Sequence, residues 1–430
     1  RMMRILMFGW EYPPLKSGGL GTACYGLTKA LAKLGAYIAF VLPRAKKSVL
    51  SEHMNLISTE SLKIKELESG GQIHFSSIDS LLQPYHTQQT YKNAFQKLKA
   101  LYRALIHSED DAPTEGMYGS NLFEEIKRFA SKSEMIARYE EYDLIVGHDW
   151  MTFDACFRAR AISGKPVCVH IHAVEADRTG GNPNRSIYEI ERWGLNAADM
   201  VIANSVITMR NCIEQYGVDP QKIVAIHLGI DQDSHMGAVE TVRSNFEEKV
   251  VLFLGRMTMQ KGPEYFLRAA KIVLEHEPNV KFIMAGDGDM YTRMIEEAAN
   301  LGISRNVFFT GFLNEKETER LLKMSDVFVM PSMSEPFGLA ALEAIKHGLA
   351  CIVPKNAGVS EVVKNVLKVD FWDTHEMANK ILSIIRHPAL QLDLVENSGP
   401  EVKLMTWEKC AEQCLATYDG LLQRKVMVHG

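Results

Sequence analysis

Short β-rich runs alternate with longer helical stretches along the whole chain, and this rhythm restricts the fold more than any other feature of the sequence. In the first half the runs are Arg4–Phe8, Tyr37–Leu42, Leu144–Val146, Val167–Ile171 and Met200–Ala203. In the second they are Val250–Leu254, Val280–Met284, Val307–Phe309, Val327–Met330 and Ala350–Val353. Each is almost continuously apolar and ends in Gly or a polar loop, which is how strands buried on both faces of a parallel sheet read. At 430 residues the chain exceeds one ordinary core. Two doubly wound α/β domains facing a central cleft are therefore expected. With 46% hydrophobic and 23% charged residues the chain is a folded globular protein, and a disordered or fibrous class is excluded.

Between Ile226 and Lys249 the periodicity breaks, which places a linker near residues 232–248. The expected layout is a first domain over 1–235, carrying a Gln-rich and charged elaboration over 45–135, and a second over 245–400. Residues 401–430 then hold a helix from about Trp407 to Gln423 that crosses back to the first domain. Ligands are expected in the cleft, at the strand C-termini. The 48 basic and 53 acidic residues leave a net charge of -5, against a nucleic-acid partner. Seven scattered cysteines suit a reducing compartment, and Cys410 with Cys414 reads as core packing. The apolar opening Met2–Phe8 is cut by Gly9, Glu11 and Pro13-Pro14, too soon for a signal-peptide core, and no run has the length of a spanning helix. A cytoplasmic location follows as an expectation; the oligomeric state is not readable.

In the second domain Ser334-Glu335-Pro336-Phe337-Gly338-Leu339-Ala340-Ala341-Leu342-Glu343 follows the run Val327–Met330. A helix opening at about Phe337 and closing at Gly348 turns its free N–H groups and positive dipole end toward the cleft, an anion site. Glu335 precedes it and Glu343 sits about two turns inside, among Ala, Leu and Ile. After Val250–Leu254 come Arg256 and, five residues on, Lys261-Gly262-Pro263, with Pro263 suited to the first helical position. Two cations at the edge of a sheet clamp a diphosphate and neutralise charge on a departing one.

In the first domain Arg4–Phe8 leads to Lys16-Ser17-Gly18-Gly19-Leu20-Gly21 and a helix to about Leu34. The loop fits neither the dinucleotide fingerprint nor a Walker loop. Gly286-Asp287-Gly288-Asp289 fails the same test, and its two acids suit a turn. Gly147-His148-Asp149-Trp150 and His170-Ile171-His172 lie at strand ends, with His170 and His172 on one face. Without a third ligand the pair reads as a cleft or core feature, so no catalytic metal is expected.

Together these segments resemble the retaining nucleotide-sugar glycosyltransferases of the GT-B fold, in the large group-one family, and within it the short, archaeal-like glycogen and starch synthases. The resemblance rests on Lys16-Ser-Gly-Gly-Leu-Gly21, His148-Asp149-Trp150, Arg256-x4-Lys261-Gly262 and Glu335-x7-Glu343, in family order. It implies that Arg256 and Lys261 bind the donor diphosphate with the backbone N–H groups of Gly338 and Leu339. Glu343 then holds the ribose, Glu335 the transferred sugar and His172 its O6 side and reacting face. Lys16, Gly18 and Gly19 close from the opposite domain, and Asp149 is an acceptor-side or structural residue. The implied mechanism is front-face attack with the leaving phosphate as base, without metal or cofactor.

The first function expected is transfer of glucose from ADP-glucose or UDP-glucose to an α-1,4-glucan. Ala173 and Met151 stand where glycogen synthases usually show Asn and His, and Glu175–Asn182 departs from the usual Tyr-Gln-Gly. The alternative is therefore a group-one glycosyltransferase with another acceptor: a small sugar, a polysaccharide or a lipid-linked precursor. A non-catalytic nucleotide-sugar-binding protein is a further alternative, disfavoured because His172, Arg256, Lys261, Glu335 and Glu343 are all present.

Overall fold

The computed structural model describes residues 2–10, 19–43, 53–58, 118–232 and 248–429. Strands β1 (Arg4–Phe8), β2 (Tyr37–Leu42), β3 (Asn55–Ser58), β4 (Leu144–His148), β5 (Val167–Ile171), β6 (Met200–Ala203) and β7 (Ile223–Ala225) form one sheet in the order β3-β2-β1-β4-β5-β6-β7. Strands β8 (Val250–Leu254), β9 (Lys281–Ala285), β10 (Val307–Gly311), β11 (Val327–Val329), β12 (Ala350–Pro354) and β13 (Leu367–Val369) form a second, in the order β10-β9-β8-β11-β12-β13. Every pairing is parallel. Helices connect the strands, so both sheets are doubly wound α/β layers.

The expected runs all become strands, within two residues at their ends. Three strands were not anticipated: β3, β7 and β13, of four, three and three residues. All three are sheet edges, where a short strand covers little apolar surface and leaves a weak pattern. Of the elaboration over 45–135, β3 and the start of the helix Tyr118–Tyr139 are described; most of it, and residues 233–247 of the linker, lie outside the described residues.

Strands β4, β5 and β6 of the first sheet are buried throughout and β1 is buried beyond Arg4, with Ile5, Leu6, Met7 and Phe8 at 1% exposure or less. That core continues through Leu252, Phe328, Leu342 and Cys351 of the second half, so one apolar body runs through both. A separate cluster around Phe253, Phe266, Phe282 and Met294 fills the other face of the second sheet. The last helix runs from Trp407 to His429, longer than expected, and buries Cys410, Ala411, Cys414 and Tyr418 in the shared core. It crosses to the first sheet: Lys33 Nζ meets Glu408 Oε1 at 3.0 Å, and the Tyr418 hydroxyl lies 2.6 Å from His170 Nε2.

Candidate active site

In each sheet the winding direction reverses beside the central strand, between β1 and β4 and between β8 and β11. Loops leaving the C-terminal ends of such a pair diverge and open a crevice. In the second sheet those loops are 255–262 and 330–338, which carry Arg256, Lys261 and Glu335.

The Arg256 loop is braced from β9. Met257 N donates to Asp287 O at 3.0 Å and Met290 N to Met257 O at 2.9 Å. Gly286 has a φ of 128° and any Cβ there would enter the Gly255 carbonyl, so the Gly286–Asp289 turn serves as a support for this loop. The loop closes in a tight turn, Met259–Lys261, and Gly262 follows at a φ of 64°, packed against the Pro331 carbonyl too closely for a side chain. Pro263 then opens the helix Pro263–His276. This close approach puts Lys261 against the other loop: its Nζ lies 2.7 Å from Glu335 Oε2, which also accepts from Ser332 Oγ at 3.1 Å.

Gly338 caps the helix Leu339–Lys346, which starts two residues later and ends two earlier than expected. Glu343 is accordingly one turn inside rather than two. It is half-buried, and burial raises its carboxyl above the usual range, with Asp231 and Glu315 adding to the effect and Lys346 and His347 opposing it.

Across the cleft, Lys16 and Gly18 lie outside the described residues. Gly19 is described and is the first residue of the helix Gly19–Lys33; a Cβ built on it would stand 3.7 Å from Leu339 Cδ1. The starts of two helices from opposite sheets therefore come close together, and each carries free N–H groups.

His148, His170 and His172 are buried together at the ends of β4 and β5. His148 Nδ1 and His172 Nε2 are 3.0 Å apart, and the His148 and His170 ring centroids 4.8 Å. Burial lowers all three: His170 to about 3, His148 well below its usual value and His172 less far, with Asp149 opposing the shift of His172. Asp149 is fully buried, takes the His172 backbone N–H on Oδ1 at 2.8 Å, and has Oδ2 3.6 Å from Arg178 Nη2. Here it acts as a support for the His172 segment, under cover of the protein.

The grouping of carboxylates behind that segment was not anticipated. Besides Asp149, Arg178 faces Glu175 at 3.8 Å and Glu191 at 3.9 Å, and donates to the Ala173 carbonyl at 3.0 Å. Glu191 accepts from Glu175 N at 2.9 Å and from the Tyr216 hydroxyl at 2.6 Å; burial pushes its carboxyl up to about 7 against the pull of Arg178. Asp177 accepts from Ser334 Oγ of the second half at 3.0 Å and from Asn211 at 3.1 Å. Of these carboxylates only Glu175 and Asp177 fall in the segment Glu175–Asn182 that departs from the family pattern.

The cleft between the two doubly wound sheets thus has the lysine–glutamate pair and one helix start on the second side, and the other helix start and the buried histidines on the first. The family description "Glycosyl transferases group 1" matches residues 240–399, and "Glycosyltransferase Family 4" matches residues 107–234. The second half of the chain thus matches the group-one glycosyltransferases and the first half a second glycosyltransferase family, and the chain has the GT-B fold. An uncharacterized glycosyltransferase of Methanocaldococcus jannaschii is 28% identical, covering 97% of this chain and 98% of its own length. A glycogen synthase of Mycobacterium tuberculosis is 27% identical over 84% of this chain and 80% of its own, and a D-inositol 3-phosphate glycosyltransferase of Rhodococcus opacus is 27% identical over 73% and 76%. Two solved structures share the fold. They are sucrose-phosphate synthase from Thermosynechococcus elongatus, at a TM-score of 0.73, 19% identity and 100% of both chains, and the Anabaena protein HepE in complex with UDP-glucose, at 0.69, 18%, and 97% of this chain and 100% of that one. Among the described residues no helix is long and apolar enough to cross a membrane.

Proposed function

We propose that the chain is a retaining hexosyltransferase that moves glucose from ADP-glucose or UDP-glucose to the end of an α-1,4-glucan, working without metal or cofactor. The reading takes residues 1–235 as the acceptor-side domain, 245–400 as the donor domain and 401–430 as the brace between them. The observation that carries it is the Lys261–Glu335 pair at 2.7 Å, set at the sheet's switch point beside the N-terminus of Leu339–Lys346. Glu335 orients the hydroxyls of the transferred sugar, and its partner Lys261 meets the phosphate to which that sugar is bonded. Arg256 and the N–H groups of Gly338 and Leu339 share the diphosphate, Glu343 the ribose, and Lys16, Gly18 and Gly19 cover the phosphate from the first domain. His172 faces the reacting side, and Asp149 acts through it. Charge grows on the leaving phosphate as the glycosidic bond breaks, so fixed cations there stabilise the transition state more than the ground state.

A second reading, transfer to a different acceptor, is favoured by the Glu175–Asn182 segment, whose buried acids replace the family's usual residues, and by a relative named for inositol phosphate. ADP-glucose and UDP-glucose are to be assayed in parallel, with and without glycogen, following nucleoside diphosphate release. Glycogen-dependent release supports the glucan reading; release that requires inositol phosphate or a small sugar instead replaces it with the second.

A further inference from the structure

Resting on the proposal that His172 faces the reacting sugar, we infer that His148 is a positioning residue that fixes the tautomer of His172, so that His172 presents an Nδ1–H donor to the ligand. His148 Nδ1 and His172 Nε2 share a hydrogen bond 3.0 Å long, in which one of the two nitrogens carries the proton if both rings are neutral. Both are neutral near pH 7, because burial disfavours either imidazolium; the His170 and His172 rings add to that effect at His148, and at His172 Asp149 opposes it while Arg178 adds to it.

The direction of the bond follows from the other edge of His148. Its Nε2 is buried and has no hydrogen-bond partner among the described residues. The Phe40 and His170 rings beside it are tilted by only 35° and 39°, so neither turns its face to that in-plane edge. Were His172 the donor, His148 would carry its own proton on Nε2, as a buried N–H with nothing to accept it. Orphaned N–H groups of that kind are rarer in proteins than bare acceptors. The arrangement that avoids it puts the proton on His148 Nδ1, which donates to His172 Nε2. Neutral His172 then holds its proton on Nδ1.

Two contacts fix the rest of the residue. Asp149 Oδ1 accepts the His172 backbone N–H at 2.8 Å, and Asn204 Nδ2 donates to its carbonyl at 2.9 Å. The backbone is held at both ends and Nε2 is occupied, leaving Nδ1 as the ring atom able to meet a substrate. A donor at this position recognises an oxygen with a free lone pair, such as a sugar hydroxyl or ring oxygen. It does not act as a base. The charged and titratable groups bearing on the two rings are Asp149, Arg178 and His170.

The test is the nitrogen-15 spectrum of histidine-labelled whole protein, assigned with a His172→Gln variant, at neutral pH and without substrate. A His172 pattern protonated on Nδ1 and bare on Nε2 is expected; the Nε2–H tautomer or an imidazolium overturns the inference. This readout needs no turnover, so it stands apart from the glycosyltransferase proposal, which fails separately if no nucleotide sugar is used. For the kinetic arm, His148→Asn keeps an amide donor where Nδ1 stood and His148→Leu removes it. His148→Leu is expected to lower kcat tenfold or more with donor KM changed less than threefold, and His148→Asn to restore most of the loss. Equal kcat in the two variants contradicts a positioning role exerted through this donor.

Discussion

Asp149 has a φ of 61° and a ψ of 169°, and it is the one residue other than glycine with a positive φ among the described residues. That region is essentially reserved for glycine, and a side chain held there costs about 1–3 kcal/mol. The carboxylate explains why an acid is kept: from this backbone it reaches His172 N, while its own carbonyl accepts from Thr152 N and Oγ1 at 3.1 and 2.9 Å. Strain and function are separable here. Asp149→Gly removes both the strain and the carboxylate, whereas Asp149→Ala removes only the carboxylate. The glycine variant is expected to be about 1–2 kcal/mol more stable than the alanine variant in urea unfolding, with turnover reduced in both. An alanine variant at least as stable as the glycine one contradicts the strain assignment. Residues were legible in the sequence where a motif fixes both type and spacing, as for Lys261 and Glu335. Glu191 was not, because an acid beside Glu189 and Arg192 in the helix Arg185–Ala197 looks solvated until Tyr216 and the Glu175 N–H are seen to close over it.

At the scale of elements, the helix Val206–Tyr216 belongs to the first half but takes part of its cap from the second. Glu361 accepts from Val206 N at 2.9 Å and Ile207 N at 2.8 Å, and lies 2.7 Å from His227 Nε2. Burial pulls the Glu361 carboxyl up, but His227 and the two N–H groups outweigh it and hold it below its usual value. The same segment is tied to the donor turn, since Gly358 N donates to Glu335 O at 3.1 Å and Glu335 bridges Ala357. Glu361 thus connects the turn that carries Glu335 to the helix following Asn204, whose side chain holds the His172 carbonyl. Glu361→Ala is expected to lower stability by about 1–2 kcal/mol, as the loss of a cap does, and to increase the radius of gyration measured by small-angle scattering as the halves separate. An unchanged scattering profile contradicts this coupling. Apart from the short edge strands, the elements themselves were legible, because a strand buried on both faces is written as an unbroken apolar run. Contacts such as that of Glu361 were not, since they join residues more than 130 positions apart.

At the scale of the molecule, two sheets with the same winding are held by a common core and by the helix Trp407–His429. The returning helix was legible from its position after the last strand; its hold on the site, through Tyr418 and His170, was not. On the proposed reading, Arg256, Lys261 and the start of Leu339–Lys346 hold a diphosphate in the cleft between the sheets. This claim is tested most directly by calorimetric titration of ADP and UDP into the wild-type protein and the Arg256→Ala and Lys261→Ala variants. At least one nucleotide is expected to bind the wild-type protein, and each variant to weaken that binding tenfold or more. Binding of equal strength in all three proteins contradicts it, as does no binding of either nucleotide to the wild type.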